Sequence, residues 1–259
     1  MAEPLSNLLW AREKSTYFRY PNLFLNPQLI HGVFTRHGGI SEAPYHSLNI
    51  SYTVGDAPDN VAANLRKIRK TIGAKNLIFM NQSHGTDILA LRKGQYIRFE
   101  NVPSADAIIT DVPFFALMVQ LADCQGVIIF DPKKNVVANV HCGWRGNVQN
   151  ILERVVNRMK KDFGCGESHL LAGISPSLGP CCAEFVSHKE IFPDAFKRFR
   201  VRENYFDLWA ISRWQLESAG LREGNIEIAG ICTRCRSDLF YSYRGEGKTG
   251  RFGAVAMLI

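Results

Sequence analysis

Three short stretches each close an apolar run with a residue that can bind metal or act as a nucleophile. NQSHG carries His84, LADCQG carries Cys124, and NVHCGWRG carries His141. Neutral imidazole and thiolate are donors that zinc prefers, and three protein ligands leave a fourth position for water or substrate. A metal held there can lower the pKa of a bound water or polarise a substrate atom. The same residue types allow a thiol nucleophile, Cys124, with His84 or His141 as its base. They equally allow a structural set: histidines hydrogen-bonded to backbone, and Cys124 as a small buried hydrophobe. No spacing among the three is diagnostic, so all three readings stay open.

Arginines stand beside the same chemistry. Arg36 lies in TRHGGIS, where glycines let backbone approach a ligand closely. Arg145 follows His141 by about one helical turn, at the start of a helix expected over 147–164. A helix N-terminus favours anions, and a guanidinium there adds to the case for phosphate or carboxylate. Arg251 in KTGRFG is a weaker candidate of the same kind; a surface or capping role is the alternative for each. Asp123, directly before Cys124, is the nearest carboxylate for moving a proton. Trp144 is expected to pack under the helix start or to wall a planar ligand. Cys232 and Cys235 form a lone C-x-x-C, and the adjacent Cys181 and Cys182 have poor geometry for completing a cage, so no second metal is expected.

The elements that must position these residues alternate along the chain. LIHGVFTR, NLIFMNQSHG, ADAIITD, PFFALMVQLAD, GVIIFDP, NVVANVH, LLAGI, NIEIAGICT and the C-terminal run read as strands. VAANLRKIRKTIG, 147–164, EIFPDAFKRF and DLWAISRWQLESAGL read as helices. No linker or repeat interrupts the 259 residues, so the expectation is one α/β domain over 1–259, with mixed or stacked sheets flanked by helices. At 46% hydrophobic and 21% charged, the chain can bury a sizeable core. The formal charge of +7 comes from basic residues spread along the chain, which argues against a nucleic-acid partner and suits a small anionic one. The N-terminal segment lacks the pattern of a signal peptide, and no apolar run is long enough to span a bilayer. A cytoplasmic protein is expected, with its seven cysteines buried, catalytic or metal-bound rather than disulfide-paired. The sequence does not give an oligomeric state.

Taken in order, TRHGGIS with SLNIS, NQSHG, LADC, HCGWRG, GISPSLGPCC, CTRC and FYSYRGEGKTGR resemble the YfiH family, also labelled polyphenol oxidase or laccase domain, from about residue 30 to the C-terminus. The resemblance implies a single α/β fold with one zinc ion held by His84, Cys124 and His141. It implies phosphorolysis of adenosine, inosine, guanosine or methylthioadenosine and deamination of adenosine. Arg36 and Arg145 would then hold phosphate, and Asp123 would move the proton. Another branch of the family is a peptidoglycan editing factor, for which the substrate would be a muropeptide precursor cleaved by amidase-like chemistry. The laccase label implies copper. A laccase needs several coppers and His-x-His pairs among many histidines, whereas this chain has seven histidines and no such pair. Two positions depart from the family pattern. Cys142 stands where alanine is usual and is expected to face away from His141; Gly245 stands where many relatives carry a second arginine.

Overall fold

The runs AIIT, FALMVQL, QGVIIFD and VVANVHC are apolar at nearly every position, the pattern of strands covered on both faces. The computed structural model describes residues 8–12, 15–92 and 104–259, so the first residues of the segment read above for a signal peptide lie outside the described residues. In chain order the strands are β1 (Leu9–Arg12), β2 (Thr16–Arg19), β3 (Leu29–Phe34), β4 (Asn76–Phe79), β5 (Ile88–Leu91), β6 (Ala107–Thr110) and β7 (Phe115–Leu121). They continue with β8 (Gln125–Asp131), β9 (Val136–Cys142), β10 (Leu171–Ile174), β11 (Arg200–Arg202), β12 (Tyr205–Phe206), β13 (Ile226–Ile228) and β14 (Phe252–Leu258). The helices are α1 (Pro21–Phe24), α2 (Pro58–Thr71), α3 (Trp144–Val148), α4 (Ile151–Phe163), α5 (His188–Ile191), α6 (Leu208–Ser218) and α7 (Tyr243–Glu246).

Two six-stranded mixed sheets result, ordered β1-β2-β3-β14-β7-β4 and β13-β10-β8-β9-β6-β5. They stack face to face. Ile128 and Phe130 of β8 and Val137 of β9 share one buried cluster with Leu117 and Val119 of β7 and with Ala254 and Ala256 of β14. The intervening residues Val127, Ile129, Ala138 and Val140 turn the other way and pack under α4 through Ile151, Leu152, Val155, Val156 and Met159. Each such Val, Leu, Ile or Met side chain contributes about 1.5–3 kcal/mol when fully buried. On the far side, Ala116, Met118, Val255 and Met257 pack against Ile68 of α2 and Ile72 just past its end. The layers therefore run helix, sheet, sheet, helix, as the expected stacked α/β arrangement requires. One polar side chain crosses the apolar interior: buried Asn139 of β9 donates from Nδ2 to the carbonyls of Leu117 and Ala254, each at 2.9 Å, and so bridges the two sheets.

The expected elements leave out α1 and strands β1, β2, β5, β11 and β12, and three further stretches take another form. The helix expected over 147–164 is two helices, α3 and α4, because Asn150 between them takes the left-handed conformation with φ 54°. EIFPDAFKRF is short α5 followed by a 3₁₀ turn over 194–199, since Pro193 has no N–H to continue a helix. The polar loop before the last strand contains α7, whose cap Ser242 accepts from the Gly245 N–H.

Candidate active site and metal centre

The site forms between the sheets, where β8 begins and β9 ends. Val137, Asn139 and His141 share the inward face of β9, so the alternation that buries Val137 also aims His141 at the gap. Gly126 pairs with His141 and Gln125 with Cys142, which sets Cys124, just before β8, beside the end of β9. His84 arrives on the β4–β5 connection with a positive φ of 61°. The donor atoms of His84, Cys124 and His141 all lie within 4.8 Å of one another. The two imidazoles meet edge to face, with centroids 4.8 Å apart and planes at 83°. Gly143 in HCGWRG is what permits this packing. A Cβ there would sit 3.0 Å from Cys124 Sγ and 3.2 Å from His84 Cδ2.

Behind the three donors stands Asp106, a residue that sequence reasoning missed. It is fully buried, and its Oδ1 accepts from the His84 N–H at 3.0 Å and pairs with His141 Nδ1 at 2.8 Å. Its Oδ2 accepts from the Gly85 N–H at 2.7 Å and the Ser83 hydroxyl at 2.9 Å. Burial alone would raise the Asp106 carboxyl, but the hydrogen bonds from His141, Gly85 and Ser83 outweigh it and hold it well below the usual carboxylate range. An ionised carboxylate only accepts, so His141 Nδ1 carries the proton and Nε2 is left for a metal, the carboxylate–histidine–metal arrangement. Asp106 also fixes the backbone of residues 83–85 and thus brings in His84. Its only signal was an acid at the mouth of the AIIT strand.

The electrostatics favour a charged pair. Burial pushes the Cys124 thiol up, yet the charge and hydrogen bonding of His141 and His84 bring it down to about 6. Burial pushes His141 down, yet the Cys124 sulfur and Asp106 raise it to about 9. A thiolate beside an imidazolium whose proton a cation can displace suits metal binding. Cys142, one residue on, faces the α4 side and is buried there with Ile151, as strand alternation predicts; burial raises its thiol.

These donors line a cavity of about 890 Å³, together with Arg145, Arg244 and Arg251 and the aromatic rings of Trp144, Phe185 and Tyr243. Arg145 is exposed and lies over the Trp144 ring, 4.4 Å from its centroid. Trp144 is both a packing residue against Phe185 and Phe192 and part of the cavity wall. Asp123 also lines the cavity, but both its oxygens are engaged: Oδ1 accepts from Thr233 Oγ1 at 2.7 Å and Oδ2 from the Arg244 N–H at 2.6 Å. Arg36 is not among the lining residues. Its guanidinium donates to the Ser237 and His46 carbonyls, pairs with Glu246 at 2.9 Å, and covers the Tyr241 ring. These contacts make Arg36 a brace of the segment before β14. Arg251, the weaker candidate, does reach the cavity, and Arg244 was not singled out at all.

The poor geometry expected of the adjacent Cys181 and Cys182 is not what the structure shows. Cys181, Cys182, Cys232 and Cys235 bring their sulfurs within 4.8 Å of one another. Adjacency of Cys181 and Cys182 is no obstacle, because both sulfurs approach Cys235 at 3.5 Å. Among the described residues no helix is long and apolar enough to cross a membrane.

Residues 30–259 match the family described as multi-copper polyphenol oxidoreductase laccase. A purine nucleoside phosphorylase of Bacteroides thetaiotaomicron is 32% identical, over 92% of this chain and 95% of that protein. The purine nucleoside phosphorylase YlmD of Bacillus subtilis is 28% identical, over 87% of each. The crystal structure of the hypothetical protein YfiH of Bacillus licheniformis superposes with a TM-score of 0.87 at 27% identity, covering 96% of this chain and 99% of that one. That of YlmD from Geobacillus stearothermophilus does so with a TM-score of 0.85 at 26% identity, covering 97% and 99%.

Proposed function

This chain belongs to the YfiH/YlmD family, and from that premise we propose that it is a zinc-dependent purine nucleoside phosphorylase that also deaminates adenosine. Its substrates in this reading are adenosine, inosine, guanosine and methylthioadenosine. The observation that carries the reading is one cavity lined at once by the His84–Cys124–His141 donor set, by three guanidinium groups and by aromatic rings, Trp144, Phe185 and Tyr243 among them. The family's copper label finds no matching donors: of seven histidines, only His84 and His141 converge among the described residues.

His84, Cys124 and His141 would hold one zinc ion, which in such a donor set supplies a Lewis acid with an open fourth position. Arg145, Arg244 and Arg251 bind and orient phosphate, whose planar-fork recognition guanidinium provides. A phosphate oxygen forms the new bond to ribose C1′ as the C1′–N9 bond breaks. The electron pair of that bond goes to the purine, which takes up the proton that hydrogen phosphate gives up as its oxygen bonds C1′. Trp144, Phe185 and Tyr243 offer faces on which the purine ring can lie. Asp106 keeps His141 in one tautomer throughout. For deamination, water adds at C6 and ammonia leaves, and Asp123, each of whose oxygens keeps a second lone pair, moves the proton between them.

Chromatography of adenosine and inosine incubated with zinc-loaded protein, with and without phosphate, tests the proposal. Phosphate-dependent release of adenine and hypoxanthine is expected, together with inosine from adenosine. No turnover of any purine nucleoside by fully zinc-loaded protein overturns the reading and turns attention to a muropeptide substrate.

A further inference from the structure

Outside the cavity's donor set, the largest concentration of metal-binding chemistry is the group of four thiols. We propose that Cys181, Cys182, Cys232 and Cys235 form a second metal site, a closed tetrathiolate for zinc, which clamps together the two loops that hold Asp123.

The spacing of the sulfurs carries the proposal. All four are free and lie within 4.8 Å of one another, with Cys181–Cys235 and Cys182–Cys235 at 3.5 Å. Sulfurs bonded to each other would be about 2.05 Å apart. Four sulfurs around zinc at about 2.3 Å stand about 3.8 Å apart along each edge of the tetrahedron. The cluster sits close to the second geometry and far from the first.

The backbone is arranged for sulfur ligands as well. The Gly179 N–H donates to Cys232 Sγ at 3.3 Å, and the Cys235 N–H is directed at the same atom. Within the C-x-x-C turn, the Arg236 N–H closes onto the Cys232 carbonyl at 2.9 Å. N–H groups aimed at a sulfur stabilise its thiolate form. A tetrathiolate with a divalent ion keeps two negative charges, and basic residues surround this one: Arg234 and Arg236 flank Cys235, and Arg202 donates to the Cys181 carbonyl at 3.0 Å. Cys181 and Cys235 are exposed, so an ion can enter from solvent, while Cys182 and Cys232 are buried.

The two loops are extensions of a paired sheet edge. β10 and β13 run parallel, and their pairing continues as Ser177 N–H to the Ile231 carbonyl at 3.2 Å and Thr233 N–H to the Ser177 carbonyl at 3.0 Å. Each loop then contributes one contact to Asp123: the Leu178 N–H bonds its carbonyl at 2.9 Å, and Thr233 Oγ1 bonds its carboxylate at 2.7 Å. Asp123 has a positive φ of 83° and immediately precedes Cys124. A metal joining Cys181 and Cys182 to Cys232 and Cys235 therefore fixes the approach of Cys124 to the cavity from outside, with no open position of its own for substrate.

Zinc content, thiol reactivity and cobalt spectra test this on the full chain expressed with zinc. About two zinc ions per chain are expected. The His84→Ala/Cys124→Ser double variant should keep one of them, and Cys232→Ser should lose that one. Because Cys232→Ser can fail to fold, the unaltered protein gives an independent reading. Exposed Cys181 and Cys235 should resist iodoacetamide until a chelator is added, and cobalt(II) bound to the double variant should show the strong thiolate charge-transfer absorption of four sulfur ligands. Equal alkylation with and without chelator, or a chain lighter by the hydrogens lost in disulfide formation at these cysteines, overturns the proposal. Neither readout depends on nucleoside turnover, so the clamp can fail while the proposed reaction stands, and the reverse.

Discussion

Among the described residues the molecule gathers metal-binding side chains twice and builds the two groups in opposite ways. His84, Cys124 and His141 are mixed donors from three separate segments; they face a cavity of about 890 Å³ and are backed by a buried carboxylate. Cys181, Cys182, Cys232 and Cys235 are identical donors from two adjoining turns, near the surface, with backbone N–H groups and arginines behind them. Three ligands with a tuned histidine leave room for a reactant; four like ligands leave none. Under the two readings proposed above, donor count and backing, more than residue type, separate a site that reacts from a site that holds.

The largest effect expected from breaking that contrast is at Cys124. Cys124→Ser should lower nucleoside turnover by more than about 100-fold, beyond the usual cost of losing an outer-shell partner, while leaving metal at the four cysteines. Zinc analysis alongside turnover decides it, and retained activity would remove the thiolate from the proposed mechanism. Next is Asp106→Asn, expected to weaken zinc affinity or turnover by about 10–100-fold, measured by chelator competition. An unchanged affinity would mean that the carboxylate only folds the 83–85 loop.

A smaller effect is read in metal-free protein as a function of pH. Cys124 is lowered to about 6, so its stabilising contribution is full above the ordinary thiol value of about 8.5 and is lost as pH falls through 6. His141 is raised to about 9, so its contribution is full below about 6.5 and is lost as pH rises through 9. The charged pair therefore exists between about 6 and 9, and alkylation of Cys124 should be half-maximal near pH 6. His141→Ala should move that midpoint upward by at least about one unit, a tenfold change in thiolate fraction at a given pH; an unmoved midpoint would deny the pairing. The smallest effect is expected of Gly143→Ala, whose Cβ would press on Cys124 Sγ at 3.0 Å. A shift of a few tenths of an ångström should cost about fivefold in turnover, less than the 100-fold that a full ångström can cost. Full activity would show that the ligands give way freely.

The strands were legible because both-face burial writes continuous apolar runs, and β6 through β9 lie where those runs do. The three donors were legible as polar residues closing such runs. Asp106 was not, because its five hydrogen bonds, from Ser83, His84, Gly85 and His141, form through folding rather than through any local pattern. The four cysteines were illegible for a related reason: Cys181 and Cys235 are 54 residues apart in sequence and meet only through the parallel pairing of β10 with β13. That Arg251 lines the cavity while Arg36 pairs with Glu246 was not legible, because glycine-rich surroundings mark where backbone can approach a ligand, but not which way a long side chain turns. The split between α3 and α4 rests on one left-handed asparagine, a conformation that Asn adopts more readily than most residues but does not announce.

Asn139 bears on the identity of the ligand itself. His141 and Cys142 are neighbours on β9, so a slip of this strand by one residue would exchange an imidazole for a thiol at the site. An all-apolar inner face would tolerate that error, since valine and alanine fill either side of the strand. The Asn139 amide would not: its carbonyl partners belong to β7 and β14, and on the α4 side it would lie among aliphatic side chains. One polar side chain in the interior thus works as a proofreading mark, allowing only the register in which His141 faces His84 and Cys124.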